Sequence, residues 1–191
     1  PVPISNDLFR VLETSLELAR ETDGKFDPTL GPLTKLWRNT RKTKMLPTAE
    51  ALEAAKAVCG YEKLVLDKKK QTATLLVPGM QLDLGGIGKG FASDEALATP
   101  KEHGIQSALV AASGDIAVSN PPPGMPGWLI QVETFTDGMD DPAAGNYVIS
   151  LANQAISTSG DVIQFVELNG KRYSHILDVE TGLGLVERKG A

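Results

Sequence analysis

The sequence has 191 residues, with 19 Lys and Arg against 24 Asp and Glu for a formal charge of −5, and 41% of its side chains are apolar. That is an ordinary globular composition with enough apolar mass to close a core, and it gives no reason to divide the chain into several domains. The acidic balance excludes a protein that coats nucleic acid, because phosphate neutralisation needs clustered cations and the dense basic run is only Lys68-Lys69-Lys70.

Cys59 is the single cysteine, so neither an internal disulfide nor a cysteine metal cluster is available. Two histidines, His103 and His175, are too few for a multi-histidine metal site. The longest uncharged stretch, Ile116 to Val132, carries Pro121, Pro122, Pro123 and Pro126, which rules out a membrane-spanning helix through it. The opening PVPISNDLF has neither a basic nor an apolar leader pattern and reads as a start in mid-fold.

In chain order, Ser5 or Asn6 caps a first helix whose Leu8, Val11, Leu12, Ser15, Leu16 and Ala19 recur at helical spacing, and Gly24 stops it. The glycines, prolines and aspartates of TDGKFDPTLGPL predict an ordered loop. A second helix runs from Thr48 to Val58, with Gly60 beyond its end. KLVLD, a polar turn at Lys68 to Gln71, and TATLLV predict a hairpin, and MQLDL a further strand. GGIGKGFASDEALATPKEHG reads as a glycine-rich turn opening a helix that Pro100 kinks or shortens. Strand candidates follow at Ser107–Ala111, Ile116–Ser119, Trp128–Glu133, Tyr147–Leu151 and Ile163–Leu168, interrupted by the loops SNPPPGMPG and TDGMDDPAAGN. Asn169-Gly170 is a hairpin turn signal with Lys171–His175 as the return strand. Helices and strands come in clumps, which predicts an α+β fold, mostly antiparallel sheets with flanking helices, in one domain over 1–191.

The sharpest local feature is Asp83-Leu84-Gly85-Gly86-Ile87-Gly88-Lys89-Gly90, a strand running into a glycine-dense turn and a helix start. Small residues let a ligand approach the backbone, free amides at a helix start favour phosphate, and Lys89 adds a charge. The spacing fits neither a Walker A loop nor a dinucleotide-binding GxGxxG in its strand–helix–strand setting. A tight turn with a solvated Lys89 is the plain alternative. Three more clusters combine glycine with acids or hydroxyls: Gly24 to Thr29, Ser113-Gly114-Asp115, and Ser157 to Asp161. The last block is Tyr173-Ser174-His175-Ile176-Leu177-Asp178 with Thr181-Gly182; a lone strand histidine also serves as a structural anchor.

In this order the blocks resemble the ApbE family, the FAD:protein FMN transferases. The family's G-x-F-D-P-T-x-G-P-L is matched by Gly24 to Leu33 and its D-L-G-G-I-x-K-G-[FY]-A by Asp83 to Ala92. Ser113-Gly114-Asp115, the Ser-Gly-Asp at 159–161 and Tyr173 to Gly182 match the three later blocks. The resemblance implies an ApbE-like fold and a magnesium-dependent reaction. FAD is the substrate, a threonine hydroxyl of an acceptor flavoprotein attacks its diphosphate, FMN becomes ester-linked, and AMP leaves. Water as the attacking group would make the protein an FAD pyrophosphatase, and loss of the metal site would leave a non-catalytic flavin-binding domain.

Carried over by position, Lys25, Phe26 and Asp27 border the flavin nucleotide, Asp83 and Lys89 contact FAD, and Gly114 and Asp115 belong to the nucleotide loop. Gly86 lends its main-chain oxygen to Mg²⁺, and Leu177 lines the cofactor pocket. His175 matches the histidine on which FMN transfer depends, either as acceptor of the threonine proton or as a positioner of phosphate; a neutral imidazole with a pKa of about 6.5 suits the first role. Departures are Ser113 for a glycine and Val179 for a proline. The family's Asp and Thr metal ligands, four residues apart beyond the Thr-Gly segment, and an upstream methionine and aromatic contact to FAD have no counterpart in these 191 residues. The expectation is therefore an ApbE-like domain truncated at both ends. By the same resemblance it is exported, as a periplasmic or cell-surface lipoprotein.

Overall fold

A computed structural model describes residues 1–133, 146–157 and 164–186. Among the described residues four helices accompany ten short strands, and every strand ladder is antiparallel. The chain divides into two compact units, Pro1–Gly88 with Ile163–Gly190, and Lys89–Val162.

In the first unit, α1 (Asn6–Glu21) starts where the Ser5 hydroxyl accepts a hydrogen bond from the Leu8 amide at 3.2 Å. Of the expected stripe Val11, Leu12, Ser15, Leu16 and Ala19 are buried, joined by Phe9, while Leu8 is half-buried. Leu12 and Leu16 pack with Leu64 under a three-stranded sheet of order β1-β3-β2: β1 (Val2–Pro3), β2 (Leu64–Asp67) and β3 (Thr72–Leu75). The hairpin matches expectation, with Asp67 accepting from the Lys69 and Lys70 amides at 3.0 Å each. MQLDL does not form a strand. Its only ladder contact is an isolated parallel bridge, Gln81 to Leu30.

The larger correction is a helix, α2 (Gly31–Thr43), where the sequence predicts a loop followed by no element before Thr48. Gly31-Pro32, read as loop punctuation, opens this helix, because proline in the first turn forfeits only an amide that has no intrahelical partner. Leu33, Trp37 and Thr40 then fall on one buried face. Trp37 packs edge-on to Tyr173 at 5.7 Å and donates its indole N–H to the Ser174 carbonyl at 3.0 Å. This docks α2 on the hairpin of β9 (Phe165–Leu168) and β10 (Lys171–Ser174). Asn169 and Gly170 turn that hairpin with φ of 51° and 73°, as the dipeptide predicts. On its other flank Leu33 packs with Ala55 of α3 (Ala49–Ala57) and with Cys59. Thr48 caps α3 by accepting from the Ala51 amide.

The second unit contains most of α4 (Gly88–Glu102), which runs two residues past Pro100 before ending. Its sheet has the order β4-β5-β8: β4 (Leu109–Ala112), β5 (Asp115–Val118) and β8 (Gln154–Ser157). Strand β8 was not expected, because its Gln-Ala-Ile-Ser runs into a hydroxyl-rich segment that reads as a turn. A separate hairpin pairs β6 (Trp128–Glu133) with β7 (Asn146–Leu151). The loop from Thr136 to Gly145, Ile163, and the Thr158 to Asp161 portion of the hydroxyl block lie outside the described residues.

Candidate functional site

In the first unit three blocks distant in sequence are tied together. The Asp83 amide donates to the Pro28 carbonyl at 2.9 Å, and the Gly31 amide to the Gln81 carbonyl at 3.1 Å. A Cβ on Gly31 would lie 2.5 Å from that carbonyl oxygen, so glycine is required for the two segments to approach. Gly86 sits against the Phe26 ring, 3.1 Å from where its own Cβ would be. Lys25 forms an ion pair with Glu180, so the first block also meets the last. That pairing holds the Lys25 ammonium above its ordinary pKa. Asp27 turns inward on its own loop: Oδ1 accepts from both the amide and the hydroxyl of Thr29 at 2.7 Å each.

Asp83 is the best-anchored acid of the set, its side chain only 14% exposed. Its Oδ2 accepts from the Thr34 hydroxyl at 2.7 Å and from Arg38 at 2.6 Å, and its Oδ1 from the Gly85 amide at 2.9 Å. Burial pushes the carboxyl up, but the hydrogen bonds from Thr34 and Gly85 and the Arg38 charge outweigh it and hold the acid below its ordinary pKa. Thr34 and Arg38 are four residues apart on α2. No element is predicted for that stretch from the sequence, which hides them; a helix there puts them on one face.

His175 follows β10 and is half-buried. Its amide donates to the Gln164 carbonyl at 3.0 Å, and its Nδ1 lies 3.1 Å from the same oxygen. A carbonyl only accepts, so Nδ1 carries the hydrogen and in the neutral ring Nε2 bears the free lone pair. Leu177 packs against both the Trp37–Tyr173 cluster and the Leu33–Ala55 cluster, which makes it core as well as a candidate cofactor contact.

The second unit collects the remaining positions. Lys89 Nζ lies 2.7 Å from Asp115 Oδ2 and also reaches the Ser113 carbonyl at 3.5 Å. The Ser157 hydroxyl donates to Asp115 Oδ1 at 2.6 Å. Lys89 first, then Ser157, hold the Asp115 carboxyl below its usual range. Ser113 and Gly114 make the β4–β5 turn with φ of 49° and 91°, a conformation open to glycine and strained for most side chains. Around Gly88, Gly90 and Gly114 an added Cβ would meet no atom within 4 Å, so these backbones face open space, whereas Gly85 and Gly86 are packed by Asp83 and Phe26.

As a metal site the set is incomplete. Among the described residues no three His, Cys, Asp or Glu side chains converge on one point. The Gly86 main-chain oxygen is a single hard donor, suited to Mg²⁺ but insufficient for it alone.

The sequence matches the ApbE family over residues 1–188. The chain belongs to the ApbE family. A relative from Haemophilus influenzae named FAD:protein FMN transferase is 34% identical over 187 residues, covering 95% of this chain and 53% of that protein. The protein of the same name from Chlamydia muridarum is 36% identical over 187 residues, covering 98% and 56%. Among solved structures, the ApbE protein of Thermotoga maritima superposes with a TM-score of 0.81 at 32% identity, covering 96% of this chain and 58% of that one. The flavin transferase ApbE of Vibrio cholerae gives 0.82 at 30%, covering 97% and 58%. This ApbE chain thus has the expected fold, and it spans little more than half the length of the relatives it matches.

Proposed function

We propose that this chain carries nucleotide-holding and proton-accepting residues of an FAD:protein FMN transferase. The reading is carried by one observation: within a single compact unit the GKFDPT block is hydrogen-bonded to DLGGI through Pro28 and Asp83, and its Lys25 pairs with Glu180, two residues past YSHILD and 155 positions away. In the first unit Phe26, Asp83 and the Gly85–Gly86 turn hold part of FAD; in the second, taken by itself, Lys89 and the Ser113–Asp115 turn present donors of the kind a diphosphate takes. The hydroxyl of an acceptor-protein threonine attacks the phosphorus on the FMN side. A new P–O ester bond forms, the bridging P–O bond breaks, and AMP departs with the bridging oxygen. The threonine proton passes to Nε2 of His175, whose Nδ1–H is already committed to the Gln164 carbonyl.

Magnesium, when bound, would neutralise charge on the diphosphate, with the Gly86 carbonyl as one ligand. Among the described residues no cluster of side chains completes that site. An exported location is part of the same proposal and rests on the family likeness.

The test is incubation of the protein with FAD, Mg²⁺ and a threonine-bearing acceptor flavoprotein, with AMP release and a covalent yellow adduct as expected products. Absence of AMP with either the acceptor or water as nucleophile would remove the enzymatic claim. The incomplete metal set favours one second reading, a flavin carrier without turnover. That reading requires FAD to bind equally well with and without Mg²⁺ in equilibrium dialysis.

A further inference from the structure

We infer that Arg38 and Thr34, on α2, are positioning residues that orient Asp83 for one hydrogen bond to a hydroxyl or N–H group of the flavin nucleotide. The inference rests on the flavin-transfer reading and goes beyond it, since it names the kind of group on the substrate that Asp83 meets and what holds the acid in place.

An ionised carboxylate has roughly four acceptor positions. Three are occupied here: Oδ2 by Thr34 and Arg38, Oδ1 by the Gly85 amide. Among the described residues the position left is on Oδ1, and it takes only a hydrogen-bond donor. Two anions repel, so the group that fits is a sugar or ribityl hydroxyl or a ring N–H, and not the diphosphate. The acid cannot rotate to another partner without breaking three bonds at once, two of them to a helix docked through Trp37. The guanidinium is the charged group facing Asp83, from α2; Thr34 and Gly85 are neutral, and the Pro28 carbonyl takes the Asp83 amide. Arg38 uses one nitrogen for the contact and its side chain is 66% exposed. Its share of fold stability is therefore small, and its effect is felt through the acid it orients.

Three variants test this: Arg38→Met, Arg38→Lys and Thr34→Val. In Arg38→Met and Thr34→Val the Kd and KM for FAD rise about five- to tenfold, while kcat at saturating FAD stays within about twofold. Arg38→Lys restores affinity to within about threefold of the original, because a single N–H contact does not need the planar fork. FAD affinity unchanged in Arg38→Met, or Arg38→Lys as weak as Arg38→Met, overturns the inference.

A second measurement is independent of flavin. Amide exchange at Gly85 in the ligand-free protein should speed up several-fold in Arg38→Met, because the carboxylate that accepts this amide is no longer held. Unchanged Gly85 exchange means Arg38 does not position Asp83, whatever the protein binds. Faster exchange in a protein that binds no FAD instead locates the failure in the flavin reading.

Discussion

At the scale of single residues, the side chains that matter are held by partners that no local motif names. Asp83 was legible as a site candidate from its place before the glycine turn. Thr34 and Arg38, which fix its charge and direction, were not. Their spacing carries meaning only once the segment is known to be helical. His175 shows the converse: the motif flagged it, but the proton on Nδ1 follows from the Gln164 carbonyl, eleven positions away in the preceding strand region. Glu180, the partner of Lys25, was similarly invisible, because an acid in a turn has no sequence mark that says which base it meets.

The Asp83 network has a pH consequence. Its folded pKa lies below the unfolded value, so the unfolded chain binds more protons once acid is added. The acid's contribution is fully present above the unfolded carboxylate pKa of about 4 and is lost as pH falls through the lower folded value. Asp83→Asn should cost about 1–2 kcal/mol at pH 7 by denaturant unfolding, with the gap to the parent protein closing as pH falls below the unfolded carboxylate pKa of about 4 and through the lower folded one. A gap that widens on acidification would show that Asp83 is not held as an anion.

At the scale of elements, the fold was legible where periodicity and turn chemistry agree. Helices α1 and α3, the β2–β3 hairpin and the Asn169-Gly170 hairpin fall close to expectation. The misses share a cause. Gly31-Pro32 marks a helix start as readily as a loop, and the buried positions of α2 number only a few among basic and polar residues. MQLDL alternates like a strand, yet its neighbour across the bridge is the approach to α2, which leaves no partner for a ladder. Strand β8 is completed by pairing to β5, a long-range contact that its own four residues do not announce.

Because α2 links the Trp37–Tyr173 and Leu33–Ala55 clusters, it is the element on which the first unit depends. Trp37→Ala should destabilise that unit by about 3–5 kcal/mol through lost packing and the orphaned Ser174 carbonyl. Trp37→Phe, which keeps most of the volume but loses the N–H, should cost about 1–2 kcal/mol. Equal costs in urea denaturation would assign the whole effect to the hydrogen bond and none to packing.

At the scale of the whole molecule, the order of the blocks pointed to the ApbE family more clearly than any one of them did. Each is built from turn residues, and only their succession is specific. The structure explains why the order matters. The second and last blocks each bond to the first in one unit, while Lys89, Asp115 and Ser157 gather in the other. Among the described residues no three His, Cys, Asp or Glu side chains converge, and Asp27, Asp83 and Asp115 each accept from neighbouring hydroxyls.

The account assigns binding to Asp83 and proton transfer to His175, and this division is its central claim. It is tested most directly by measuring FAD affinity and single-turnover AMP release side by side for Asp83→Ala and His175→Ala. The account predicts about tenfold weaker FAD binding for Asp83→Ala, and unchanged binding with AMP release slowed about 10²-fold or more for His175→Ala. An equal loss of affinity in both variants, or undiminished AMP release without the imidazole, would contradict it.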